Sequence, residues 1–253
     1  MVRPAVLDGL AALGPFFAVD VHPAFSAVAA PWHAMSELVD DPAVLRNRAR
    51  AVRAHLAAAA EKASEAVPLR VGASVTHLGL VARLVSPALA VAVATGEVLN
   101  LDLRCTRWQP SLGAFPLSVQ IFTPMETGSG LRGQPREPDQ LAAVLASMVI
   151  DGPVRELVTA TRSLSVSPRV LWGNVASAVN GAASVIATTR PSWAPRARAL
   201  GSLLLDQAPL RGTSTRTPDG QFRRRSCCLI YRAARHPIDP VCGDCILGGD
   251  RPR

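Results

Sequence analysis

The sequence predicts an α+β protein with a helix-rich body, a small antiparallel sheet and a short C-terminal module that carries cysteines. Apolar residues recur at helical spacing through most of the 253 residues, and two short stretches alternate apolar with polar residues. Four of the five cysteines crowd into the last 27 residues. Apolar residues make up 49% of the chain and charged residues 18%, which excludes disordered and collagen-like proteins.

Helical segments are predicted along the whole body. In 41–62, Asp41 caps the first turn, Pro42 fits the first helical position, and the arginines opposite the apolar stripe face solvent. The segment 71–96 is expected to break near Ser86 and Pro87 into two packed helices, because proline cannot donate its amide. Further helices are predicted in 140–161, punctuated by Gly152–Pro153, in 170–189 and in 195–206.

The alternating stretches 101–108 and 116–122 flank a turn at 110–113 and predict a hairpin with one buried face. Cys105 lies in the first predicted strand and is expected to be a small buried hydrophobe. The segment 123–139 is rich in glycine, proline and charge and predicts a loop.

This pattern predicts that the chain is divided into three parts. Residues 1–206 form the helix-rich body, 207–221 a linker rich in turn-forming residues, and 222–253 the cysteine-bearing module. Within the body, His77 lies among apolar residues and is expected to be a satisfied core residue. Trp172 and Asn174 are interpreted as a buried aromatic with a capping amide.

The positive charge is concentrated in the C-terminal part of the chain. Residues 1–189 carry a net charge of +1, whereas 190–253 carry +7, all of its basic residues being arginines. Nucleic acid is not expected as a partner, because aromatic residues make up only 4% of the chain and include a single tyrosine for base stacking. The arginine-rich end leaves peripheral contact with a membrane surface open.

A cytoplasmic location is expected, because Asp8 interrupts the first apolar stretch and no secretory signal is apparent. The segment 170–189 is an uncharged run of 20 residues, long enough to span a bilayer. Its glycine, asparagine and serine residues make it too polar, so a buried helix is predicted instead.

The four C-terminal cysteines, Cys227, Cys228, Cys242 and Cys245, follow the pattern C-C-x13-C-x2-C and converge if the chain between them loops back. Disulfides are rare in a reducing cytoplasm. Structural zinc usually takes two C-x2-C-like knuckles, and only Cys242 and Cys245 form one. A [2Fe-2S] cluster shares four thiolates between two irons and accepts less regular spacing. Ligand type and spacing therefore favour the cluster, with zinc as the alternative.

The motif resembles the C-terminal motif of the FhuF-like ferric siderophore reductases, which end in a Cys-Cys pair, a loop and a C-x2-C pair. The stretches 224–232 and 242–247 carry this resemblance, and 73–84 and 171–178 in the body are similar to stretches of that family. The loop between the cysteine pairs is longer here than is usual in the family. Loop closure grows only logarithmically with length, so ligation by all four cysteines is expected to survive. His236 in this loop is an alternative ligand of the Rieske type.

The resemblance implies a ferric siderophore reductase that transfers one electron from a [2Fe-2S] cluster to chelated Fe(III), releasing Fe(II) in the cytoplasm. Hydroxamate or catecholate oxygens hold Fe(III) far better than Fe(II). A separate electron donor, such as a ferredoxin or a flavin reductase, is expected, because the sequence shows no dinucleotide-binding fingerprint. The alternatives are a zinc-stabilised, non-catalytic binding protein with a basic end, or an iron–sulfur electron relay or sensor.

The resemblance leaves the binding surface for the chelate open, with Arg223, Arg224 and Arg225 as candidates. These arginines, with Arg232 and Arg235, can also offset the negative charge of a cluster, which is −2 when oxidised and −3 when reduced. Equally, they can serve only to keep the module soluble.

Overall fold

The computed structural model describes residues 4–121, 137–234 and 242–246. In this part of the chain the α-helices are α1 (Pro4–Asp8), α2 (Glu37–Asp40), α3 (Pro42–Ala59), α4 (Leu69–Thr95), α5 (Pro138–Leu145), α6 (Arg155–Arg162), α7 (Pro168–Thr189) and α8 (Ala194–Leu205). The strands are β1 (Asp20–Pro23), β2 (His33–Ala34), β3 (Arg107–Trp108), β4 (Leu117–Ile121), β5 (Ser214–Arg216) and β6 (Phe222–Arg224). The described residues are 58% helical and form two small sheets, which confirms the α+β class.

The helices pack around α4 and α7, which contact each other along the centre of the body. Helix α3 covers one side of α4, and α8 lies against α7. The start of α3 is as predicted: Pro42 is its first residue, and the Asp41 carboxylate accepts a hydrogen bond of 2.8 Å from the amide of Ala43. The predicted helices in 170–189 and 195–206 are confirmed as α7 and α8.

The predicted break at Pro87 is wrong, because α4 continues through this residue as one helix. Proline in a helix interior costs about 3 kcal/mol, through the lost hydrogen bond and the clash with the preceding turn. Every residue from 83 to 93 is buried, and each large apolar side chain buried there contributes roughly 1.5–3 kcal/mol. Burial on all sides therefore outweighs the local cost, and α4 ends only at Gly96, whose φ of 74° caps it.

Helices α5 and α6 are joined by a wider π-helical segment, Ala146–Val154, rather than by a loop. The chain kinks at Gly152, where φ is −93° and ψ is −116°, directly before Pro153. The predicted helical segment punctuated by Gly152–Pro153 is therefore confirmed. Most of the predicted loop 123–139 lies outside the described residues, and its last two residues begin α5, where proline fits the first turn.

The main sheet has four strands in the order β1-β4-β3-β2. Strands β3 and β4 pair antiparallel with Trp108 opposite Leu117, which confirms the hairpin. The small sheet was expected to be antiparallel and is mixed instead, because β1, which was not predicted, pairs parallel to β4. Strands β1 and β2 were not predicted: β1 is largely exposed and β2 has two residues, so neither shows a buried alternating face.

Cys105 is half-buried in a turn that precedes β3, so its predicted place in a strand is wrong. The amide of Cys105 donates to the carbonyl of Asp102 and closes this turn. The Asp102 carboxylate accepts from the amide of Arg104 inside the same turn. Such local side-chain bonds compete with strand pairing and shorten the first strand of the hairpin to two residues.

The N-terminal segment is fixed to the body by Arg83 of α4, which is 1% exposed. Its guanidinium donates to the carbonyls of Phe16, Ala18 and Phe115, at 2.6, 2.8 and 2.9 Å. Burial lowers the pKa of Arg83 to about 10, which still leaves it protonated at neutral pH. One buried cation thus ties residues 15–18 to the turn of the hairpin.

The C-terminal part adds a second sheet, in which β5 and β6 pair antiparallel with Thr215 opposite Arg223. Strand β5 lies within the segment predicted as a linker. A small apolar cluster of Ala57, Val67, Val71 and Ala233, with Leu56 and Leu229 against it, packs the C-terminal part on α3 and α4. The division of the chain into a body, a linker and a module stays a prediction.

Helices α4 and α7 are long and apolar enough to cross a membrane by length and composition alone. The protein itself buries 72% of the apolar window in α4 and 67% of that in α7. Core helices of soluble proteins pass the same test. In this structure α7 packs between α4 and α8, which fits the predicted buried helix.

Candidate metal centre

The two cysteine pairs come together beside β6. Cys227 and Cys228 follow this strand after Ser226, and Cys242 and Cys245 form a turn closed by the bond from the amide of Cys245 to the carbonyl of Cys242. The sulfurs of Cys228 and Cys242 are 3.3 Å apart. Strand β6 joins the two pairs, because the amide of Arg224 donates to the carbonyl of Asp244 at 3.0 Å. One sulfur from each pair thus meets the other, and the convergence of all four cysteines stays a prediction; all of them are free thiols here.

Backbone amides point at the sulfurs of the first pair. The amide of Leu229 donates to the sulfur of Cys227 at 3.3 Å, and the amide of Ile230 donates to that of Cys228. Leu229 itself has a φ of 70°, which is uncommon for a residue with a side chain. Strained backbone of this kind is often found at functional sites. Hydrogen bonds to sulfur also shift the potential of iron–sulfur clusters.

The thiols differ in acidity because they interact with one another. Hydrogen bonds from Cys227 and Cys242, then the one from the amide of Ile230 and the nearby charge of Arg224, lower the pKa of Cys228. The hydrogen bond to Cys228, followed by burial, raises the pKa of Cys227 and that of Cys242. The first negative charge in this group of thiols is therefore expected on Cys228, which lies between the other two.

The four thiols fit a metal centre in donor type and in their closest spacing. Two sulfurs bound at 2.3 Å to one tetrahedral ion are about 3.8 Å apart, so the Cys228 and Cys242 sulfurs need to separate by only about 0.5 Å. Within the described ranges, no three His, Cys, Asp or Glu side chains already converge at metal-binding distance. Binding by all four cysteines therefore requires the side chains of Cys227 and Cys245 to move towards the other two sulfurs.

A buried chain of hydrogen bonds connects the cysteines to the two central helices. Arg224 donates to Asn174 Oδ1 at 2.5 Å and to the carbonyl of Val170 at 3.3 Å. Asn174 in turn donates to the carbonyl of Ser74 at 2.9 Å, and the hydroxyl of Ser74 donates to the carbonyl of Cys228 at 2.8 Å. The position of Cys228 is thus set by α4, α7 and β6 together.

The candidate arginines have different surroundings. Arg224 is 1% exposed, so it contacts the protein interior and is not accessible to a chelate from solvent. Arg223 is half-buried and donates to the carbonyl of Cys245 at 3.0 Å, whereas Arg225 and Arg232 are exposed. Arg235 and His236 lie outside the described residues. Of the three candidates for chelate binding, only Arg223 and Arg225 have any exposed surface.

His77 and Asn174 belong to this buried network. His77 is buried as predicted, but it is not fully satisfied: Nδ1 lies 3.4 Å from the Asn174 amide nitrogen, and Nε2 has no partner among the described residues. Asn174 lies in the middle of α7 and bridges two helices, so its interpretation as a capping amide is wrong. Trp172 is only half-buried, under the guanidinium of Arg155.

The link between Ser74, Asn174 and Arg224 was not predicted from the sequence. A signal was present: Ser74, His77 and Asn174 are polar residues on helices whose other buried residues are mostly apolar. Buried polar side chains in such helices need partners, and these partners come from each other and from β6. The residues are too far apart in sequence for a local pattern to pair them.

At Gly173, α7 and the C-terminal part approach each other closely. A Cβ at this position would lie 2.2 Å from the Ser226 hydroxyl oxygen and 3.2 Å from Arg224 Nη2. Gly181, on the same helix, has open space at the corresponding position. The absence of a side chain at 173 therefore lets β6 reach the helix.

Replacing Gly173 by alanine is expected to lower the free energy of unfolding by about 1–3 kcal/mol, through overpacking against Ser226. Gly181→Ala is the matched control and should raise it by up to about 1 kcal/mol, through helix propensity alone. The Ser226 hydroxyl has no partner among the described residues, so adding Ser226→Ala should restore much of the loss. Urea unfolding measures all three variants, and equal stability of Gly173→Ala and Gly181→Ala would contradict the close approach.

In comparisons with known proteins, no family model and no curated protein matches this chain.

Proposed function

We propose that this protein is a ferric siderophore reductase. It passes one electron at a time from a [2Fe-2S] cluster, held by Cys227, Cys228, Cys242 and Cys245, to Fe(III) bound by a chelator. The observation that carries the proposal is the meeting of both cysteine pairs beside a buried arginine. The resemblance of the cysteine motif to the FhuF-like reductases supplies the substrate class.

The electron balance is simple. A separate donor, of the ferredoxin or flavin-reductase class, gives one electron to the protein. The protein passes this electron to Fe(III), which becomes Fe(II). No bond of the chelator breaks. The chelator then holds the ion weakly, because its hard oxygen donors prefer Fe(III), and the iron is released. When bound, the cluster supplies the one-electron couple that the side chains themselves lack.

The residues of this chain hold and shield the site of electron exchange. Cys228 and Cys245 are each 2% exposed, which excludes water from half of the sulfur ligands. Cys227 and Cys242 are half-buried and mark the side of the centre that solvent reaches. Arg223 and Arg225 lie two to four residues before Cys227, at its border, where a positive charge attracts an anionic chelate. We place chelate binding at this side of the centre, in the cytoplasm or at the inner face of its membrane.

The test is the release of Fe(II) from a ferric hydroxamate by protein purified without oxygen and reduced with dithionite that is then removed. A ferrous-specific dye should report about one Fe(II) per reduced protein, since each molecule carries one electron. A brown protein that bleaches with dithionite but releases no Fe(II) from hydroxamate or catecholate chelates would indicate an electron relay or sensor. A colourless protein with one zinc per chain would indicate the binding protein instead.

A further inference from the structure

The charge of Arg224 is buried without a matching ion pair. Its guanidinium donates to two neutral oxygens, that of the Asn174 side chain and the carbonyl of Val170, and its Nε has no partner in the described part of the chain. Among the described residues, no carboxylate forms a salt bridge with it. A buried cation with only neutral partners is costly, so a negative group nearby is expected.

The cysteine pairs lie on two sides of this residue. The backbone amide of Arg224 donates to the carbonyl of Asp244, between Cys242 and Cys245, at 3.0 Å. The Asn174 side chain that accepts from Arg224 also donates to the carbonyl of Ser74, whose hydroxyl donates to the carbonyl of Cys228 at 2.8 Å. The central helices α4 and α7 contain no Asp or Glu. A bound cluster, which is negative in both oxidation states, is therefore the anionic group that Arg224 serves.

We infer that Arg224 is a positioning residue of the metal centre whose buried charge raises the reduction potential of the bound cluster. This inference rests on the proposed function, because it concerns the same four cysteines. Reduction adds one negative charge, and a fixed cation stabilises the reduced form more than the oxidised one. The effect requires burial, since an exposed arginine such as Arg225 is screened by water and salt.

The fold holds this charge in place before any electron arrives. The side chain of Arg224 is held by α7 through Asn174 and Val170, and its backbone amide is held by the cysteine turn through Asp244. The charge therefore does not need to move when the electron arrives, and little reorganisation accompanies transfer.

The experiment compares the midpoint potential of the intact, cluster-loaded protein with those of Arg224→Met and Arg224→Lys, by redox titration followed by paramagnetic resonance. Arg224→Met should lower the equilibrium constant for reduction of the cluster at least tenfold, which corresponds to a midpoint potential about 59 mV lower for one electron. Arg224→Lys keeps the charge and should retain most of the potential. The matched control, Arg225→Met, removes an exposed neighbouring charge and should change the equilibrium less than twofold. Equal potentials for the wild type and Arg224→Met would overturn the inference.

A second variant keeps the test decisive if Arg224→Met does not assemble a cluster. Asn174→Asp places a carboxylate where Arg224 already donates, which neutralises the cation without removing it. It should also lower the potential, whereas Asn180→Asp, half-buried on the same helix, should not. An unchanged potential in Asn174→Asp would overturn the inference. A normal potential difference with no Fe(II) release would contradict the proposed function alone, so the two failures are distinguishable.

Discussion

Cys228→Ser is expected to lower cluster content and Fe(II) release by more than about 100-fold. Loss of a group that only hydrogen-bonds to a metal ligand already lowers metal affinity or activity 10–100-fold, and Cys228 is a proposed ligand itself. It lies at the centre of the group, in contact with Cys242 and receiving the amide of Ile230. Serine keeps the size of the side chain but removes the soft donor that iron–sulfur clusters need. Iron analysis and visible absorption of anaerobically purified protein measure the effect.

The matched control is Cys105→Ser, which changes a half-buried cysteine in the turn before β3. It should leave iron content, absorption and Fe(II) release within twofold of the wild type. Full iron content in Cys228→Ser, or an equal loss in both variants, would show that the C-terminal cysteines do not hold the metal.

His77 makes the stability of the protein depend on pH. Its ring is fully buried, and burial together with the charge of Arg224 lowers its pKa from 6.5 to about 3. The unfolded state therefore binds a proton that the folded state does not, at every pH between these values. This group takes nothing from the free energy of unfolding above pH 6.5. The free energy of unfolding should fall as the pH drops towards 3, by at most about 1.4 kcal/mol per pH unit and about 5 kcal/mol in total.

Urea unfolding at several pH values measures this dependence, and His77→Asn removes the titrating group while keeping an acceptor near Asn174. Below pH 6.5, the free energy of unfolding should change less steeply with pH in this variant than in the wild type. His55 is exposed on α3, so His55→Asn should leave the slope unchanged. Identical slopes in the wild type and His77→Asn would mean that the buried imidazole does not control acid stability.

The helices could be predicted from the sequence, because a strong local signal sets most of their positions. Asp41 and Pro42 begin α3, and Gly152 and Pro153 place the kink before α6. The continuity of α4 could not be predicted, because the cost of Pro87 is local whereas the burial that outweighs it comes from α3 and α7. Strand β1 was missed for a similar reason, since its partner β4 lies about 100 residues away.

The candidate site was predictable in part. The spacing of the cysteines indicated that they converge, and the structure brings Cys228 to Cys242. The division of roles among the arginines could not be read from the sequence, because Arg223, Arg224 and Arg225 are adjacent and chemically identical. Strand alternation and the missing side chain at Gly173 turn Arg224 into the interior and leave Arg225 in solvent. Its partners Asn174 and Ser74 come from two helices and are distant in sequence.

The most direct measurement is the amount of iron and acid-labile sulfide per chain in protein purified without oxygen, together with its paramagnetic resonance after reduction. The account predicts two irons and two sulfides per chain, and a signal that appears when dithionite adds one electron. Protein that contains zinc and no inorganic sulfide, and that stays silent on reduction, would contradict it.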